Sequence, residues 1–263
     1  MTNNGRRSRL LGWGWWLSYP IVLQMSLTAI AAPIKLKLPP PPGRGIAGNR
    51  SAAASRDTCP TVAQPLTALV PEYRSPQPNR VWGLTGMERP TFWFYIPYPK
   101  SSIASISFTL QDESNSADTK IVHQITIAAN QNPGVMPIVL PKSSPPLAAN
   151  QPYHWFLKLN MDCRSGQRPI FVDGWVQRRE IHRTLSGLAS TPAAQIVLSA
   201  ENGLWYDALS TLANLRSNQP QDPKLKQDWQ NLLDSIDLGY LASQPFSDEQ
   251  RSSQVQRSIE ADF

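Results

Sequence analysis

Two cysteines and three histidines are all that a chain of 263 residues offers to thiol, imidazole or soft-metal chemistry. His123, His154 and His182 stand far apart, so no pair has the short spacing of a metal-ligand set. The chain also lacks a G-x-S-x-G elbow, an H-E-x-x-H helix and a phosphate-cradling glycine loop. Charge is sparse as well, at 17% of residues, against roughly 25% in ordinary soluble domains. The formal net charge of +6 is unevenly placed. Arg6, Arg7, Arg9, Lys35, Lys37, Arg44, Arg50 and Arg56 all precede the first acidic residue, Asp57. The remaining body is slightly acidic, which argues against a nucleic-acid partner. These absences leave no recognisable catalytic motif, no cofactor and no metal site to assign.

What is present begins with an address. Arg6, Arg7 and Arg9 precede an apolar stretch from Leu10 to Leu27, and Ala29-Ile30-Ala31 offers an A-x-A exit. Residues 1–31 therefore read as a signal peptide, cleaved to give a periplasmic or secreted protein. The alternative is a retained N-terminal membrane anchor, since a span needs roughly 20 apolar residues; Gly12, Gly14, Pro20 and Gln24 weaken it. Export places Cys59 and Cys163 in an oxidising medium, where a pair of cysteines reads as one disulfide. Residues 32–56 carry Pro39 to Pro42 with Gly43, Gly45 and Gly48, and are expected to form a disordered basic tether.

Residues 57–183 alternate short β-branched or aromatic runs with Pro, Gly, Asn and Ser clusters, the spacing of an all-β domain. Strands are expected over Leu66–Val70, Thr91–Tyr98, Ile103–Leu110, Thr119–Ala128, Val135–Leu140, Tyr153–Met161 and Ile170–Ile181. Gly174 inside the last implies a bulge or a close backbone approach. The period then changes. Residues 184–245 read as a helical unit: Pro192–Ala200 capped by Thr191, a second helix carrying Trp205, Ala208, Leu209, Leu212 and Leu215, and a third from Pro223 capped by Asp222. Gly203, Ala208, Leu212, Leu215 and Pro220 follow the second half of a tetratricopeptide unit. Residues 246–263 form a polar tail able to continue as helix. The expected fold class is α+β: an antiparallel β-sandwich of immunoglobulin-like type with a small tetratricopeptide-like unit packed on it.

The strand TFWFYIPY puts aromatic groups on both faces. Phe92, Phe94, Ile96 and Tyr98 point one way and Trp93 and Tyr95 the other, so the second face needs a cover. The C-terminal helices are the expected cover, with Trp93, Tyr95, Trp175, Trp205, Tyr206 and Trp229 as the interaction or domain-junction residues. Other polar candidates read as structural. Asp112, Ser114, Ser116 and Asp118 lack the glycine and closing glutamate of a calcium loop, and Glu201 and Asp207 are placed to complement helix ends.

Five ordered stretches carry a resemblance: Leu66–Pro71 (LTALVP), Pro90–Tyr98 (PTFWFYIPY), Tyr153–Cys163 (YHWFLKLNMDC), Glu201–Arg216 (ENGLWYDALSTLANLR) and W-x-x-LL at Trp229–Leu233. Together they resemble the exported cyanobacterial family catalogued as domain of unknown function 928, over about 200 residues. Asp237-Leu238-Gly239 departs from it where such proteins tend to carry Val-Gly. The resemblance implies fold and compartment but no reaction or ligand. The functional expectation is a non-enzymatic envelope binding or adaptor module with a protein partner. Recognition of polysaccharide through Trp93, Tyr95 or Trp175 is the first alternative, and a hydrolase of unfamiliar design the second.

Overall fold

A computed structural model describes residues 1, 34–41, 47–52, 59–74, 78–114, 119–129, 132–180 and 191–247. The chain divides into two units, Met1–Ala32 and Pro33–Phe263, and all that follows concerns the second. The expected signal peptide, His182, Ser116, Asp118 and the tail from 248 onward lie outside the described residues.

Among the described residues nine strands form two sheets, followed by three helices, so the fold is α+β. The strands are β1 (Thr67–Ala68), β2 (Glu72–Tyr73), β3 (Arg80–Thr85), β4 (Thr91–Ile96), β5 (Ile103–Asp112), β6 (Lys120–Ile127), β7 (Gly134–Val139), β8 (Pro152–Cys163) and β9 (Gly166–Arg178). One sheet has the order β1-β4-β7, the other β2-β3-β9-β8-β5-β6. The helices are α1 (Pro192–Glu201), α2 (Trp205–Asn218) and α3 (Pro223–Asp234).

Alternation explains the central strands. Ile106, Phe108 and Leu110 on β5 are buried with Trp155, Leu157 and Leu159 on β8, their direct cross-strand partners. The two sheets meet through β4: Phe92 lies 4.9 Å from Phe108, and Phe94 5.5 Å from Trp155, ring centre to ring centre. Gly174 marks a close approach rather than a bulge, being paired in register with Trp155. A Cβ there would fall 2.7 Å from Val81 Cγ1.

Three expectations are corrected. The sheets are antiparallel-rich but not wholly antiparallel: β3 runs parallel to β9, with Trp82 opposite Trp175. Strand β3 itself escaped the periodicity test, because it is buried from Val81 to Thr85 without alternation and is interrupted by Gly83.

The tether is not free chain where it is described. Ile34, Leu36 and Leu38 pack against the core, Lys37 N donates to the Ala200 carbonyl, and Ser51 pairs with Thr67. The sequence IKLKL alternates as an edge segment does, a signal outweighed by the neighbouring prolines. Arg50 is buried, donating to the Ile236 carbonyl at 2.7 Å and facing Glu72 at 3.5 Å. Loss of water holds its guanidinium below the ordinary arginine value, with Glu72 opposing.

The tail also begins later than expected. Phe246 packs between Trp93 and Trp229, and Ser247 N donates to the Val135 carbonyl at 3.0 Å.

The helices form where capping and periodicity predict. Thr191 accepts from Ala194 N, and Asp222 from Lys224 N and Leu225 N, each followed by proline in the first turn. Asp237, the departure from the family pattern, adopts φ 61° just beyond α3. Cys59 and Cys163 form a disulfide that ties the chain before β1 to the end of β8. Such a staple persists outside reducing compartments. No helix among the described residues is long and apolar enough to cross a membrane.

Candidate functional site

Helix α2 brings the candidate aromatic residues together. Trp205 is fully buried, its indole donating to the Leu69 carbonyl at 2.8 Å. Tyr206, one position on, points into the space between the sheets. Its hydroxyl accepts from Trp155 Nε1 at 2.9 Å and donates to the Trp175 carbonyl at 3.1 Å. Burial pushes that phenol well above its ordinary value, so it remains a neutral donor. Gly83 makes room, since a Cβ on it would lie 2.9 Å from the Tyr206 ring.

Trp93 and Tyr95 form the other face of β4, at 1% and 7% exposure. Trp93 Nε1 donates to Ser210 Oγ on α2 at 2.9 Å, and Tyr95 hydroxyl to Gln244 Oε1 at 3.2 Å. Trp229 lies on α3 against Phe246. Trp175 is 5% exposed, donates to the Ala47 carbonyl and stacks on His154 at 4.3 Å. None of the three residues proposed as a sugar platform presents a ring to solvent. Each is covered by chain that the strand pattern alone does not reveal: α2 and residues 244–246 over Trp93 and Tyr95, and residue 47 with His154 at Trp175.

Where α1 and α2 lean over the β3–β4 connection they leave a cleft of about 440 Å³. Thr85, Met87, Arg89 and Thr91 form its floor. Gln195, Ser199 and Asn202 come from α1 and its end, and Asp207, Ser210 and Asn214 from α2. At the α1–α2 turn Gly203 takes φ +71°, and a Cβ there would fall 2.6 Å from Pro39 Cδ, where the segment before β1 passes close.

Asp207 is the cleft's one carboxyl among the described residues. Thr85 Oγ1 donates to Oδ2 at 2.7 Å, and Gly86 N approaches both oxygens at 3.1 and 3.2 Å. Thr85 Oγ1 in turn accepts from Met87 N at 3.0 Å. Loss of water raises the carboxyl to about 6, with these donors opposing the rise. The sequence reading of Asp207 as a complement to the helix end found its place in the first turn of α2. It missed the bond to Thr85, because no local spacing links residues so far apart. Glu201, its companion in that reading, is the exposed last residue of α1.

Two-carboxylate hydrolysis needs a second acid facing the first, while for hydroxyl chemistry the base within hydrogen-bond reach is Asp207, at 2.7 Å from the Thr85 hydroxyl. The oxygens of Asp207 already serve Thr85 and Gly86, and Ser210 is bonded to Trp93. What remains is a partly polar recess with amides, hydroxyls and one guanidinium at its edge, suited to holding a ligand.

The two described histidines are engaged elsewhere. His154 Nδ1 lies 2.8 Å from Glu113 and Nε2 2.9 Å from Asp173, so both nitrogens are engaged. Asp173 also accepts from Asn49 N and Nδ2, so this cluster helps hold the first docked segment. His123 Nδ1 shares a hydrogen bond with Ser144 Oγ, and burial lowers its pKa. In the loop that begins at Asp112, Asp112 accepts from Ser114 N, the bond of a local turn.

A family model described as Domain of Unknown Function (DUF928) matches residues 51–246. No curated protein matches the chain. The matched span starts at the Ser51 bridge to β1, takes in both half-cystines and the cleft, and ends at Phe246 under Trp93. The chain belongs to the DUF928 family.

Proposed function

We propose that this protein is an exported, non-enzymatic binding or adaptor module of the cell envelope, and that it engages a protein partner through the cleft between α1, α2 and the β3–β4 connection. One observation carries the reading. The cleft of about 440 Å³ places an immobilised carboxyl among amides and hydroxyls on rigid elements, with neither a second carboxyl nor a histidine among its described lining residues. Such a recess, part apolar through Met87, Leu198 and Tyr206, suits a side chain or chain end of another protein. The Cys59–Cys163 disulfide supports the extracytoplasmic setting. The facing sheets support an immunoglobulin-like sandwich. Gly203, with Ala208 and Leu212 buried on α2, supports a tetratricopeptide-like pair.

The test compares capture from envelope extract by the wild-type chain and by Ser199→Trp, which fills the cleft from α1. A protein retained by the first and lost by the second, with unchanged circular dichroism, is the expected result. Identical capture by both, or retention of glycan alone, would remove the cleft from the account.

A further inference from the structure

The second open feature of the molecule is the outer face of its six-stranded sheet. Strand register fixes which side chains share that face, because directly opposed residues point the same way. One row across the strands reads Thr126, Ser107, Lys158, Phe171; the next reads Gln124, Thr109, Phe156, Asp173. Between them runs an open groove of about 370 Å³. Hydroxyls of Ser107 and Thr109, amides of Gln111 and Gln124, and the Lys158 ammonium line it beside the Phe156 and Phe171 rings. Phe171 is 49% exposed, one of few large apolar side chains so open among the described residues.

We propose that this groove binds a hydroxyl-rich polysaccharide, with a sugar ring stacked on Phe171. Hydroxyls and amides that both donate and accept suit the mixed donor and acceptor pattern of a sugar, while an aromatic face suits its C–H surface. The other classes fit less well. A nucleic acid asks for a basic stripe, and Lys158 is the groove's one cation among the described residues. A lipid surface or a protein core asks for a contiguous apolar patch, which the hydroxyls and amides interrupt.

The groove is also built rigidly. Phe156 packs on His154 at 4.0 Å, and His154 stacks on Trp175 at 4.3 Å while Glu113 and Asp173 hold its two nitrogens. Phe156, fixed in this way, gives the groove a preorganised wall beside Phe171, which spares part of the ordering cost of binding. Four strands at a spacing of about 4.8 Å give the groove a breadth of roughly 14 Å, which suits a short oligosaccharide stretch. This site is separate from the helical cleft and stands or falls independently of it.

The experiment is affinity electrophoresis of the full chain in gels containing hydroxyethylcellulose, dextran or alginate. The expected result is retardation by at least one of them. Phe171→Ala should weaken that retardation roughly tenfold, the effect of losing an anchoring aromatic, and Phe171→Trp should retain it. Tyr240→Ala serves as control, its side chain being exposed and not part of the groove lining, and should change nothing. Circular dichroism establishes that each variant is folded. Retardation by none of the three polymers, retardation indifferent to Phe171→Ala, or equal loss in Tyr240→Ala would each overturn the proposal.

Discussion

Asp207 shows how one residue can serve two levels of the structure. In the first turn of α2 it complements the positive end of the helix dipole, and across the cleft it pins the end of β3 through Thr85 and Gly86. Removal from water raises its carboxyl from the ordinary 3.8 to about 6. The folded state therefore holds this proton more tightly than the unfolded chain does. Its contribution to stability is fully present below about pH 4 and is lost as pH rises through about 6. Asp207→Asn keeps an acceptor for Thr85 without the charge. The stability of wild type relative to this variant should fall between those pH values and level off above them, as read from urea midpoints. A difference that is flat with pH would show the carboxyl to be well hydrated.

At the scale of elements, the least expected feature is the docked segment before β1. Arg50 is its anchor, bonded to the Ile236 carbonyl beyond α3 and paired with Glu72 on β2. Arg50→Ala removes the donor from the Ile236 carbonyl and leaves Glu72 to Arg74 and Asn79, a change expected to cost about 3 kcal/mol in denaturant unfolding. Unchanged stability would mean that the segment is free in solution. The same comparison shows what the sequence makes legible. Strands β5 and β8 alternate cleanly and the helices carry caps and three- to four-residue apolar steps, so these were readable. Strand β3 and the segment at 34–41 were not. Val81 to Thr85 is buried on both faces and has no period to detect, and the IKLKL pattern sits beside four prolines. The cleft was illegible for a related reason: Thr85, Ser199 and Asp207 meet only through tertiary packing. The sugar-platform reading failed likewise, since a strand's pattern shows that a second face is apolar but not what covers it.

Over the whole molecule, the helices close the Trp93 and Tyr95 face of the smaller sheet, and the disulfide fastens the entry of the fold to the end of β8. The staple spans a sequence separation of 104, and such a loop is worth about 2–4 kcal/mol in practice. The double variant Cys59→Ser with Cys163→Ser should lose that amount in thermal or urea unfolding; equal stability under oxidising conditions would discount the staple. The functional claim depends on the same closed body, because α1 and α2 must be seated on the sheet for the cleft to exist. Its most direct test is site-specific photo-crosslinking in the envelope, with the probe at Gln195 in the cleft and, as reference, at Gln227 on the exposed side of α3. A discrete protein adduct from position 195, absent from position 227 and lost when Ser199→Trp fills the cleft, is the result the account predicts. No adduct from position 195, or the same adducts from both positions, would contradict it.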